Sequence, residues 1–270
     1  MISGFARAYQ LLEDDKDLKS AKSSADFIKN NLYDETRKVL LRHYRQGAAE
    51  IDGYSDDYAF LIQGLIDLYE ATFDHTYLNW AIELQDTHNR LFWDKESGGY
   101  FGTSGTDSSI LLRMKERHDG AEPAPNSVAA LNLLRLAQLT GNDKYRKRAE
   151  QILEAFSINL KNAPHSMPQM VAALDYYLNA PRQIIIAGDY SSPDTQAMLN
   201  KIHKHFMPNK ALILTDGKEQ SPATTEHLSF IRSHKRLGGK ATVYLCENYT
   251  CKLPVNDPDA LANLILGETP

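Results

Sequence analysis

The sequence predicts a mainly α protein, a partial α/α toroid of helical hairpins followed by a small α/β lobe. Three observations point there: an internal repeat, an alternation of apolar and amphipathic helices inside it, and a change to strand-like apolar runs after residue 180. With Ala21, Ala81 and Ala149 as register marks, 60 and 68 residues apart, counting back gives Ala8, Leu68 and Leu136. The same count gives Phe5, Leu65 and Leu133, then Gly4, Gly64 and Asn132. Self-similarity at such an interval marks a repeat architecture, in which one unit cannot bury its apolar face alone.

Each unit reads as an apolar helix, a short polar turn and a more polar helix. The turns are Glu13-Asp14-Asp15-Lys16, Thr72-Phe73-Asp74-His75 and Thr140-Gly141-Asn142-Asp143. Gly141 and Asn142 suit a helix C-cap, and the acidic residues suit the start of the next helix dipole. Ala59-Phe60-Leu61-Ile62-Gln63-Gly64-Leu65-Ile66 is apolar on almost every face and belongs inside. Lys144 to Leu153 is amphipathic and belongs outside. Met170-Val171-Ala172-Ala173-Leu174 starts a fourth inner helix, echoing Val128-Ala129-Ala130-Leu131. Inner helix, outer helix, repeated, is the pattern of an α/α toroid or α-solenoid.

The connections from outer to inner helix, about 24 to 36 residues, also repeat, and loops of that length are uncommon unless they do something. Leu32-Tyr33-Asp34 corresponds to Phe92-Trp93-Asp94, and Leu40-Leu41-Arg42 to Leu111-Leu112-Arg113. Gly98-Gly99 reads as a hairpin turn returning through Tyr100-Phe101. Each connection is therefore expected to carry a short β element ending in Arg42 or Arg113. The first helix starts at Met1 without a cap, so the chain is expected to begin inside a larger array whose N-terminal half, the partner that would close the ring, lies elsewhere. The hairpins fill residues 1–180. In residues 181–270, Gln183 to Gly188, Ala211 to Asp216 and Lys240 to Cys246 read as strands, Ser192 to Phe206 and Asp257 to Leu266 as helices, giving a small parallel or mixed α/β lobe.

Composition narrows the partners. Of 270 residues 24% are charged, the net charge is -5, and the 30 basic residues are scattered, which excludes a general nucleic-acid binder. No apolar run approaches a membrane span and no secretory signal opens the chain, so a cytoplasmic protein is expected. Two cysteines, Cys246 and Cys251, are too few for a disulfide framework and are expected as reduced thiols of a cytosolic-type protein, and neither a Cys-x-x-Cys nor a zinc site is present. His203 and His205 sit on a polar helix face. The single glycine of Ala187-Gly188-Asp189 is far from a dinucleotide fingerprint, and there is no Gly-x-Ser-x-Gly. No metal and no cofactor are expected.

The stretch His118-Asp119-Gly120-Ala121-Glu122-Pro123-Ala124-Pro125-Asn126-Ser127 is the candidate site. It is polar, stiffened by prolines, and aimed at the start of an inner helix. Repeat symmetry would gather the inner-helix starts at one mouth. Asp57, Asp119 and Glu122 are the candidate acid/base groups, with Arg42, Tyr58, Arg113, Asn126 and Gln169 as ligand-binding groups. Carboxylates, guanidiniums, amides and aromatics together suit a polyhydroxylated ligand such as a sugar or sugar phosphate. The competing reading is that Arg42 pairs with Asp57, and Arg113 with Asp119 or Glu122, only to pin the loops.

Asp56-Asp57-Tyr58-Ala59-Phe60-Leu61-Ile62, Asp119-Gly120-Ala121-Glu122-Pro123, Asn126-Ser127-Val128, Met167-Pro168-Gln169-Met170 and Ala241-Thr242-Val243-Tyr244-Leu245-Cys246 resemble the spermatogenesis-associated protein 20 family. The resemblance runs over essentially the whole chain. It implies a longer protein with an N-terminal thioredoxin-like domain, absent here, and a six-hairpin toroid similar to those of N-acylglucosamine 2-epimerases and related glycosidases. This chain would be its C-terminal part. The paired histidines of the epimerases have no match in this sequence. Two functions are compatible with the resemblance: a toroid that binds or acts on a sugar-like ligand, and a non-catalytic scaffold or protein-interaction module linked to spermatogenesis.

Overall fold

The computed structural model describes residues 1–47, 49–106, 109–179, 181–216, 227–247 and 250–267. They form two compact units. The first comprises residues 1–9, 13–137 and 143–177, and the second residues 10–12, 138–142 and 178–270.

Consecutive helical hairpins build the first unit: α1 (Ile2–Leu12) with α2 (Asp15–Asn31), α3 (Ser55–Thr72) with α4 (His75–Phe92), and α5 (Pro125–Thr140) with α6 (Asp143–Ala155). A short α7 (Ser157–Asn162) leads to α8 (Pro168–Leu178), the fourth inner helix. The three turns share a device. Glu13, Phe73 and Gly141 each end a helix in the left-handed region, at φ 57°, 55° and 68°. In the first two turns an aspartate then caps the next helix. Asp14 accepts from Lys16 N at 2.9 Å and Asp74 from Thr76 N at 3.0 Å.

The apolar-all-round reading of α3 holds: from Tyr58 to Ala71 only Phe60 and Gln63 are not buried. Each fully buried Leu or Ile there is worth roughly 1.5–3 kcal/mol relative to exposure. α6 buries only Tyr145, Ala149, Ile152 and Leu153, the one-sided spacing of an outer helix. At the shared repeat position, Gly64 brings α1 and α3 together, since a Cβ there would lie 3.2 Å from the Ile2 Cβ. Asn132, its counterpart on α5, donates to the Ala59 carbonyl at 2.7 Å. A small residue and an amide thus do equivalent jobs, close approach and interhelical tie.

The first long connection carries the expected β element. β1 (Tyr33–Asp34) pairs antiparallel with β2 (Val39–Leu40). In the second, Trp93 bridges Tyr100 across a turn in which Gly98 and Gly99 take φ of 71° and 77°. The expected strand at Leu111-Leu112 does not form: both side chains are solvent-exposed, Leu111 at 99%. Repeat correspondence alone supplied that strand, and the exposure of both side chains gives no burial to enforce it.

The second unit is a four-stranded mixed sheet in the order β4-β3-β5-β6, made of β3 (Arg182–Ala187), β4 (Lys210–Thr215), β5 (Thr242–Glu247) and β6 (Thr250–Cys251). β3 and β4 run parallel, with Ile184 opposite Leu212, joined by α9 (Pro193–His203). β5 is antiparallel to β3 and β6 to β5. α10 (Pro258–Leu266) closes the unit, capped by Asp257, which accepts from Asp259 N and Ala260 N. Continuous burial of Ile184 to Ala187 and Ala211 to Thr215 is that of strands covered on both faces.

One sequence expectation is overturned here. Cys246 and Cys251 are not thiols but a disulfide. They are register partners across β5 and β6, a pairing that the spacing alone does not reveal.

Candidate functional site

A cavity of about 860 Å³ opens in the first unit where the β2 end, the start of α3 and the His118–Ser127 loop converge. Its polar lining includes Arg42, Asp56, Asp57, Glu122 and Gln169. Phe27, Ile28, Leu41, Phe60 and Leu61 contribute apolar wall. The size and the mixture are those of a small-molecule pocket, apolar with a few convergent polar groups.

Arg42 is the centre of the polar side. Its Nη1 lies 3.0 Å from Asp56 Oδ1 and 2.8 Å from Asp57 Oδ2, and its guanidinium sits 4.3 Å over the Tyr54 ring. Asp57 reaches back to accept from Tyr54 N at 2.7 Å, so the carboxylate is fixed by the helix start that carries it. Burial pushes the Asp57 carboxyl above its ordinary value, against the opposing pull of the Tyr54 N–H and Arg42. Hydrogen bonding to Asp56, with both carboxylates nearby, holds Arg42 firmly charged.

Of the eight residues predicted for the site, Arg42, Asp57, Glu122 and Gln169 line this cavity. The other four stand behind it or apart from it. Tyr58 is fully buried, and its Oη accepts from Leu40 N at 2.8 Å, anchoring β2 to α3. Asp119 has both oxygens engaged: Oδ1 accepts from Ala124 N and Oδ2 from Gln169 N, each at 2.8 Å. Its own N–H donates to Ser166 O at 2.9 Å. Asp119 therefore ties the loop to the start of α8 and places Gln169. Asn126 clamps Tyr100, accepting from its N–H at 2.7 Å and donating to its carbonyl at 2.8 Å. Arg113 donates to Thr103 O and Leu91 O and stacks 4.2 Å from the Phe101 ring, with no carboxylate hydrogen-bonded to it among the described residues. Of the loop-pinning pairs weighed from sequence, Arg42 with Asp57 forms; Arg113 with Asp119 or Glu122 does not.

Sequence reasoning missed Asp56 as the second carboxylate on Arg42 and missed the apolar wall. The signal for the wall was present. Phe60 and Leu61 lie three and four residues after Asp57 on a helix, hence on its face. It also missed a buried pair, Ser55 Oγ and His88 Nε2 at 2.8 Å. The His88 ring stacks at 3.9 Å on Tyr100, and burial pushes its pKa down to about 3. Sealed from solvent, that pair is core structure.

Fold and site together define a unit of consecutive helical hairpins carrying a mixed polar and apolar cavity at an inner-helix start, followed by a small mixed α/β unit. Over 98% of its length the chain is similar to spermatogenesis-associated protein 20, 38% identical to the human protein and 40% to the rat one. A Caenorhabditis elegans protein of no stated function is 34% identical over 97% of the chain. The chain spans about 35% of the length of the human and rat relatives, so the likeness is to a portion of them. The family resemblance drawn from the motifs therefore stands. No family model matches. Among solved structures, the cellobiose 2-epimerase of Bacillus thermoamylovorans is similar at 14% identity, covering 66% of this chain and 58% of its own, with a TM-score of 0.48. A GH76 α-mannanase of Bacteroides thetaiotaomicron is similar at 15% identity, covering 67% of this chain and 40% of its own, with a TM-score of 0.36. Among the described residues, no helix is long and apolar enough to cross a membrane.

Proposed function

We propose that the first unit binds a small polyhydroxylated ligand, a sugar or sugar phosphate, in the cavity at the start of α3. The observation that supports this most is the pairing of Arg42 with Asp56 and Asp57 on one side of a cavity of about 860 Å³. Vicinal hydroxyls hydrogen-bond to carboxylates and guanidinium at once, and the less polar ring face packs on Phe60 and Leu61. Glu122 and Gln169 contribute a carboxylate and an amide from the loop side. If chemistry follows binding, Asp56, Asp57 and Glu122 are the carboxylates that line the cavity, and the partial burial that pushes Asp57 above its ordinary value suits it to donate a proton. Asp119 is assigned a positioning role, because both its oxygens are held by backbone N–H groups.

The test is isothermal calorimetry of the chain against monosaccharides, disaccharides and sugar phosphates. Saturable binding is expected, weakened about tenfold or more in Asp57→Asn and in Glu122→Gln. Absence of saturable heat with every ligand of the panel overturns the reading.

A second reading, a non-catalytic interaction module, has one observation in its favour. Phe27 lines the cavity and is 47% exposed, a large apolar ring available to a protein partner. Under this reading the sugar panel is silent and Arg42, Asp56 and Asp57 only pin β2 to α3. In the longer relatives, further chain outside the matched portion is one candidate for that partner.

A further inference from the structure

In the second unit a histidine stands beside the disulfide. Cys246 and Cys251 face each other on β5 and β6, and one ring nitrogen of His234 and the two sulfurs all lie within 4.8 Å of one another. The histidine is held there independently of the sulfurs. Its ring packs edge-on against Tyr244 at 4.7 Å, and Tyr244 Oη fixes the next residue, accepting from Lys235 N at 3.2 Å and donating to Lys235 O at 2.7 Å. Closing a loop between cysteines only five positions apart restrains the unfolded chain far less than a long-range bridge would. A purely structural crosslink also has no use for a third donor.

We propose that His234, Cys246 and Cys251 form a redox-gated site for a zinc-type divalent cation, closed while the disulfide stands and open once it is reduced. Two thiolates and an imidazole are the soft-to-borderline donor set that zinc takes, and cysteines separated by four residues fall within its usual ligand spacing. Ligands at about 2.0–2.3 Å from a tetrahedral ion lie roughly 3.3–3.8 Å apart, so the 4.8 Å spread needs only a small contraction toward the metal. The sulfurs must separate, and on reduction the exposed Cys251 side chain has room to move, whereas Cys246 is 4% exposed. Three protein ligands leave the fourth position to water. A disulfide supplies no thiolate, so the oxidised form cannot hold the ion.

The reductant is a dithiol. One of its thiolates attacks the accessible Cys251 sulfur, the S–S bond breaks, and Cys246 leaves as a thiolate. The second thiol of the reductant then displaces Cys251 from the mixed disulfide. Two electrons and two protons pass to the cysteines and the reductant ends as a disulfide. Metal binding releases the two thiol protons to solvent.

The experiment uses the whole chain, reduced with a phosphine under anaerobic conditions, stripped of metal and titrated with Co²⁺ as a spectroscopic stand-in for Zn²⁺. A thiolate-to-cobalt charge-transfer band with the visible bands of a tetrahedral ion is expected, displaced by Zn²⁺ and abolished in Cys251→Ser. His234→Gln, which leaves the strand pair untouched, is expected to weaken binding about tenfold or more. The oxidised chain should give no band and recover it on re-reduction. Absence of the band in the reduced chain, its survival at full affinity in His234→Gln, or an equal band in the oxidised chain overturns the proposal.

Discussion

Asp67 and Arg135 occupy the same position of the helical repeat and meet as a buried ion pair of 2.7 Å, joining α3 to α5. Arg7, one repeat earlier on α1, also reaches Asp67 at 2.7 Å. Ser3 Oγ donates to the same carboxylate, and Arg135 pairs with Glu70 at 2.8 Å. Buried Arg135 and half-exposed Arg7 thus balance two buried carboxylates, and three of these four residues share one register. Such a network fixes which helix lies beside which, since an isolated buried charge is far costlier than a paired one.

Removing one partner should therefore cost much more than any surface charge. Arg135→Ala removes the buried cation that pairs with both Asp67 and Glu70 and leaves the partly exposed Arg7 beside them, and a loss of about 3 kcal/mol or more is expected in urea unfolding. Arg37→Ala, which removes exposed pairs with Asp34 and Asp52, should change stability by less than about 1 kcal/mol. Equal losses in the two variants would refute the assignment.

This network also shows how far the sequence could be read. The register marks that give Gly4, Gly64 and Asn132 give Arg7, Asp67 and Arg135 by the same count. Apolar periodicity makes the hairpins and the inner or outer role of each helix legible, because burial repeats with the helix. Charge complementarity between repeats is legible only when inner helices are compared side by side. The site was half legible for the same reason. Asp57 and Glu122 reach the cavity, but residue type cannot tell an open carboxylate from Asp119, whose oxygens are taken by two backbone N–H groups. The strand expected at Leu111 rested on analogy between loops, where no burial periodicity enforces structure.

His88 sets a pH dependence. Its folded pKa of about 3 lies below the unfolded value near 6.5, because burial disfavours the imidazolium. Between those values the unfolded chain binds the extra proton. Stability is therefore full above about pH 6.5 and falls as the pH drops, by roughly 1 kcal/mol per pH unit. Asp67 acts in a lower window. Burial raises its pKa, but Arg135, Arg7 and Ser3 outweigh that and hold it below its ordinary value. Its contribution is present above about pH 3.9 and is lost as the pH falls through the folded value. Melts from pH 7 to 5 should show the first slope and His88→Gln should flatten it. An unchanged slope in that variant would sink the assignment.

Asp119 separates positioning from chemistry. Its two accepted hydrogen bonds join Ala124 N and Gln169 N, and Asp119→Ala should cost about 2–3 kcal/mol through the two unpaired N–H groups. Because Gln169 lines the cavity, ligand affinity should fall with the loop's order, yet Asp119→Asn should recover part of both by keeping one acceptor. An Asp119→Asn variant as stable as the parent but wholly unable to bind ligand would make Asp119 a contact residue instead.

Gly188 follows β3 for a packing reason. A Cβ there would lie 2.2 Å from Thr195 Oγ1 and 3.3 Å from the Ala241 Cβ. The Thr195 side chain cannot swing away freely, since it is buried and its Oγ1 lies 2.8 Å from Ser192 Oγ. The following Asp189 places its carboxylate on Ser191 N and Oγ, a negative group that disfavours an anion at this turn. Gly188→Ala should therefore destabilise by about 1–3 kcal/mol through overpacking. Thr195→Ala, by removing the clashing hydroxyl, should restore part of that loss in the double variant, with a coupling of about 1 kcal/mol in a thermodynamic cycle. Additive losses would show that the glycine is kept for something other than this contact.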